Sequence, residues 1–251
     1  MNTATHLEAL RVEGAAFASA VERAGLDAPV PPCPGWVVRD LLTHLTGVHR
    51  WARTTVESGM PTRLPRELRA ALFVPTPDAR AIDAYRAAHA ELVRALEDAK
   101  PGAIAWTMFG SADPVAFWTR RQAHETAIHR LDAELADVST SSGVSGFSPD
   151  FAADGIDELL VGMLGRPGGG LVSEPPMAVA IAPDDDAASW TMYVTSDAPR
   201  TVSGVDPAAD VILRGPAERL YALLWNRSDA TTCRIEGRAE LIDVWRQLAG
   251  I

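Results

Sequence analysis

The chain has 251 residues, 47% of them apolar, and a formal net charge of -10. That length suits one large domain or two ordinary ones, and the apolar share excludes wholesale disorder. The acidic balance argues against a nucleic-acid partner, which calls for a basic face, and no apolar run reaches the roughly eighteen residues of a membrane span.

In chain order, residues 4–24 show helical apolar spacing, and "LDAPVPPCPGW" breaks the chain with prolines and turn residues. The N-terminal stretch carries acidic residues and lacks the zones of a signal peptide. Cys33 and Cys233 lie far apart in unlike contexts. Together these features give a cytoplasmic location as the expectation. "VVRDLLTHLTGVHRWARTTVES" reads as a second long helix, and a polar, proline-dotted stretch follows through Pro77. "ARAIDAYRAAHAELVRALEDA" is a third helix, and "PVAFWTRRQAHETAIHRLDAELADV" a fourth, opened by Pro114. Four such helices predict a four-helix bundle over residues 1–145.

"STSSGVSG" marks the expected boundary. Beyond it, residues 146–251 read as an α+β domain. "PDFAADGIDELLVGML" is a fifth helix, and "MAVAIAP" and "SWTMYVTS" form a hairpin across the turn "DDDAA". "ADVILRG" is a strand, "PAERLYALLWNR" a helix, "TCRIEG" a strand and "RAELIDVWRQLAG" a closing helix. "GRPGGG" is glycine-rich but is followed by no Lys-Ser/Thr pair, so a phosphate-binding loop is not expected.

The chemistry concentrates in "QAHETAIHR", residues 122–130. A zincin helix sets its histidines four apart, on one face. His124 and His129 are five apart and diverge by roughly 140° on a regular helix, so they do not readily share an ion. Glu125 and His129 are separated by roughly 40°, one turn above the other. A third donor is expected from the second helix. There Val37, Leu41, Leu45, Val48 and Trp51 form an apolar stripe that contains His44, with His49 roughly 140° from that histidine. His44, Glu125 and His129 would leave a tetrahedral ion one open position, as catalytic sites do. The ordinary alternatives are a hydrogen-bonded core histidine and a surface Glu–His pair. Asp40 and Asp132 are placed to support the histidines from behind, or to be solvated aspartates. Cys33 reads as a structural buried thiol, and Trp36, Trp106 and Trp118 as core bodies or pocket walls. Asp154, Asp157 and Glu158 read as a helix N-terminal turn and a solvent face, with a place in the lining of the site as the alternative.

Taken in order, "PCPGWVVRDLLTHL", "RRQAHETAIHRLDAE", "AADGIDELL" and "ADVILRGPAERLYALLWNR" resemble the mycothiol-dependent maleylpyruvate isomerase family over nearly the whole chain. The resemblance implies a DinB-like metal-binding N-terminal bundle and a smaller C-terminal domain similar to sterol-carrier proteins. It implies a divalent metal, usually zinc, on His44, Glu125 and His129, and mycothiol as the thiol cosubstrate. It also implies an active-site role for Arg227, although Asn226 stands where the family usually has glycine. The expected function is thiol addition to a small electrophilic or unsaturated acid, ending in cis–trans isomerisation or S-transfer. The competing readings are a non-catalytic metal-binding stress-response module and a hydrolase using zinc-bound water. Substrate, metal identity and oligomeric state are not fixed by the sequence.

Overall fold

The computed structural model describes residues 1–137, 146–165 and 171–249. It divides into two compact units, Met1–Ser145 and Gly146–Ile251. The stretches 139–146 and 165–170, read as a boundary and a glycine-rich loop, fall largely outside the described residues.

Four long helices build the first unit: α1 (Thr3–Ala24), α2 (Val38–Glu57), α4 (Asp78–Asp98) and α5 (Pro114–Ala136). A short helix α3 (Arg66–Ala71) interrupts the stretch expected to be irregular. None of its residues is buried, so it carries no apolar stripe by which periodicity could have found it. Helix starts follow from local chemistry. The Asn2 side chain accepts the Thr5 N–H at 2.9 Å, and Asp113 accepts the Ala116 N–H at 3.0 Å with Pro114 at the first helical position. Helices α1 and α2 each pack against α4 and α5. Phe17, Val21, Leu41, Leu42, Leu45 and Tyr85 are at the centre of the resulting core.

Helix α5 is buried on most of its circumference, which explains its mixed apolar signal. Its inward charges are all paired: Arg130, almost wholly buried, donates to Glu13 at 2.7 Å and to Glu134 at 2.8 Å. Helix α2 corrects one expectation. The stripe that contains His44 is only part of its buried arc, because α2 packs chiefly against two neighbours, α4 and α5. His49, expected off the stripe, is fully buried, while the His44 side chain keeps 32% exposure.

The second unit is α+β. Helix α6 (Pro149–Asp157) continues as a π-helical turn, Glu158–Leu164, and α7 (Ala217–Leu224) and α8 (Leu241–Ala249) follow the sheet's main strands. Strands β1 (Met177–Pro183), β2 (Trp190–Val194), β3 (Arg200–Ser203), β4 (Val211–Gly215) and β5 (Arg234–Gly237) form one mixed sheet in the order β3-β2-β1-β4-β5. β1 and β2 pair antiparallel with Ile181 opposite Trp190, and β1 runs parallel to β4. The near-continuous apolar run of β1 suits a strand bonded on both sides. β3, four residues at an edge with exposed ends, was not read from the sequence. Glu158 is 3% exposed, and Asp157 accepts the Trp190 indole N–H at 3.1 Å, so neither lies on the expected solvent face.

Candidate metal centre

Helix α2 brings His44, and α5 brings Glu125 and His129, to one point. Glu125 Oε1 lies 3.3 Å from His44 Nε2 and 3.3 Å from His129 Nε2. One ligand atom from each residue falls within 4.8 Å of the other two. The two imidazoles meet edge-on, with centroids 4.9 Å apart. Two donors one helical turn apart converge without distorting α5.

Each α5 donor is held from behind. Asp132, fully buried, accepts the Nδ1–H of His129 at 2.9 Å. This contact holds a proton on Nδ1 and makes Nε2 the ring nitrogen that faces the cluster. The Cys33 thiol donates to the same Asp132 oxygen at 3.6 Å, so this half-buried cysteine borders the centre's support. Arg121, 3% exposed and one turn before Glu125, donates to Glu125 Oε2. Asp40 does not serve His44: it accepts the Val37 N–H at 3.0 Å and caps α2.

Aromatic groups wall His44. The Trp36 ring lies 5.3 Å and the Phe73 ring 6.3 Å from it, centroid to centroid. Phe73 comes this close because it packs on Gly47, where a Cβ would collide with its ring. Trp106 and Trp118 cluster instead with Trp51, and Trp118 donates to the Trp106 carbonyl at 2.8 Å. His124 is buried toward α1, its ring 5.9 Å from that of His6, and takes no part in the trio. His49 lies behind it, bonded to the Thr126 hydroxyl at 2.9 Å.

Charge in the cluster is strongly coupled. Burial opposes a charged His129, but Asp132 and Glu125 outweigh it and raise its pKa to about 9. Burial also works against the Glu125 carboxylate, yet Arg121 and then the two histidines hold it well below the ordinary range. A cation bound at this cluster would have to displace the His129 Nε2 proton. Two imidazole nitrogens and one carboxylate oxygen, with a supported tautomer, are a set that can hold a divalent ion.

Arg227 lies in the second unit, just past α7. Asn226 adopts φ 61°, the left-handed region that glycine favours and that asparagine tolerates best among other residues. The N–H of Asn226 reaches the Leu223 carbonyl at 2.9 Å, and that of Arg227 reaches the Ala222 carbonyl at 2.8 Å. These bonds form the glycine-type helix stop known as a Schellman turn, which Asn226 closes as a glycine would. The Arg227 guanidinium donates to the Trp225 carbonyl at 2.6 Å.

Sequence profiles agree along most of the chain. The mycothiol maleylpyruvate isomerase N-terminal domain matches residues 7–134, and the MDMPI C-terminal domain matches residues 150–243. Two solved structures share the fold. A histidine-to-alanine variant of the mycothiol-dependent maleylpyruvate isomerase superposes with a TM-score of 0.66 at 12% identity, covering 94% of this chain and 93% of that one. The unsubstituted isomerase gives 0.63 at 14% identity over the same shares. A search of the curated proteins finds no match.

Proposed function

The chain belongs to the mycothiol maleylpyruvate isomerase family, and from that premise we propose that it is an enzyme using mycothiol as cosubstrate on a small electrophilic or unsaturated acid. The reaction is cis–trans isomerisation of the maleylpyruvate type, or S-transfer. In this reading His44, Glu125 and His129 hold a divalent ion, zinc foremost. The first unit is a DinB-like four-helix bundle, the second a sterol-carrier-like domain, and the protein is cytoplasmic. The observation that carries the reading is the convergence of His44 Nε2 and His129 Nε2 on Glu125 Oε1, three potential ligand atoms in one cluster.

When bound, the ion supplies a Lewis acid that keeps a thiol ionised near neutral pH, where a free thiol with pKa near ~8.5 is mostly protonated. The chain's own groups do the rest. His129, oriented by Asp132, and Glu125, oriented by Arg121, present their donors with little freedom to turn away. Trp36 and Phe73 give the His44 side of the site an apolar lining, which disfavours competing water. Arg227 is read as the group that takes a substrate carboxylate, for which a planar guanidinium is suited; the family resemblance supports this, as does the rigid turn that presents the side chain.

The test is metal analysis of the purified protein beside His44→Ala, with turnover of maleylpyruvate followed with and without mycothiol. The expected result is about one divalent ion per chain, as an open three-ligand site requires, lost in the variant together with thiol-dependent turnover. Undiminished activity in chelated protein would overturn the metal role. Turnover that needs the metal but no thiol would favour the hydrolase.

A further inference from the structure

We infer that Arg121 is a positioning residue that keeps Glu125 a one-oxygen ligand and so preserves the vacancy at which a thiol binds. The inference rests on the metal reading above and goes beyond it, to what sets the coordination number. A carboxylate can place one oxygen or both on a cation. Here the two oxygens are divided between tasks: Oε1 faces both histidines, and Oε2 is taken by Arg121. Without that engagement, a swing of the carboxylate would bring both oxygens onto the ion, and the position left open by three protein ligands would be filled from within.

Three features make Arg121 suited to the task. It lies one turn before Glu125 on the same helix, so the backbone places the two side chains on one face. It is 3% exposed, and a guanidinium taken from water at that depth does not readily give up its carboxylate partner. Its charge also offsets that of Glu125, which leaves the site's own charge to the ion and strengthens its hold on an anionic thiolate. A surface Glu–Arg pair would do none of this, because an exposed pair at this spacing is screened by water and holds its geometry weakly.

The experiment loads the full chain with cobalt(II) in place of zinc and compares wild type, Arg121→Gln and Arg121→Lys. Visible d–d absorbance falls as coordination number rises, so it reads the vacancy without reference to turnover. N-acetylcysteine is the thiol probe, and its sulfur-to-cobalt charge-transfer band reports binding. Wild type is expected to show intense four-coordinate bands and to bind the thiol. Arg121→Gln is expected to keep the cobalt, lose band intensity and bind the thiol about tenfold more weakly, the lower end of what partners of metal ligands contribute. Arg121→Lys keeps the charge but offers a point donor in place of the fork, and is expected to fall between the two. If Arg121→Gln fails to fold, the lysine variant decides the matter. Wild-type bands and thiol affinity in whichever variant folds overturn the inference while leaving the metal reading intact. A wild-type protein that binds no cobalt overturns both.

Discussion

Asp132 stands directly behind His129, its Oδ2 2.9 Å from the ring Nδ1, and it is fully buried there. A charged acceptor at that position fixes the tautomer and raises the basicity of the ring nitrogen that faces the cluster. Asp132→Asn keeps the shape and removes the charge. Metal affinity, measured by competition with a chromophoric chelator, is expected to fall about 10- to 100-fold. An unchanged affinity would separate Asp132 from the centre.

The histidines set opposing pH dependences in chelated protein. Burial first, then the neighbouring His89, hold His49 well below its ordinary pKa, and burial likewise lowers His89. The unfolded chain therefore takes up more protons below about pH 6.5, and stability falls on acidification, by up to ~1.4 kcal/mol per pH unit for each group. His129 works in the other direction. Its pKa is raised to about 9, so its contribution is full below about pH 6.5 and is lost as pH rises through about 9. Urea melts of chelated protein should show stability declining on both sides of about pH 6.5. His49→Gln should flatten the acid limb. Saturating zinc should remove the alkaline limb, because a bound imidazole has already given up its proton.

Gly47 and Phe73 form a packing pair that shapes the wall beside His44. Gly47→Ala inserts a methyl group into a filled space and is expected to cost about 1–3 kcal/mol in a thermal melt. Adding Phe73→Ala should relieve that overpacking, so the double variant should lose less stability than the sum of the two single losses. Strict additivity would show that the two residues do not press on each other.

The turn after α7 separates backbone from side-chain effects. Asn226→Gly should leave stability equal or slightly higher, whereas Asn226→Val, branched at a left-handed position, should cost about 1–2 kcal/mol. Arg227→Gln tests the carboxylate contact. Loss of a charged hydrogen bond of about 1.5–3 kcal/mol should raise KM for the acidic substrate about 10- to 100-fold. A rise in KM that Asn226→Val matches and Arg227→Gln does not would assign the effect to the turn.

The long helices were legible because each carries both a periodic apolar signal and a recognisable start, as with Asp113 and Pro114 on α5. The Glu125–His129 pair was legible because helical angle alone places those side chains together. What escaped was set by tertiary neighbours. The burial of His49 follows from α2 touching two helices at once. The roles of Arg121 and Cys33 depend on which atoms of Glu125 and Asp132 face them. A spacing of four between Arg121 and Glu125 was visible, but such pairs are common on solvated faces and do not reveal burial. Asp40 shows the reverse: a residue well spaced to assist His44 that caps its own helix instead. Strand β3 is four residues with exposed ends, too short for alternation to register.

The sheet of the second unit ends on two four-residue strands, β3 and β5, and both margins carry charge: Arg200 on one side, Arg234 and Glu236 on the other. Gly237, at φ 90°, bends the backbone where β5 stops. Short, charged, abruptly ended borders offer a foreign strand little to zip onto. The inner strands β2, β1 and β4 thus lie between two borders that each disfavour recruitment of a further strand.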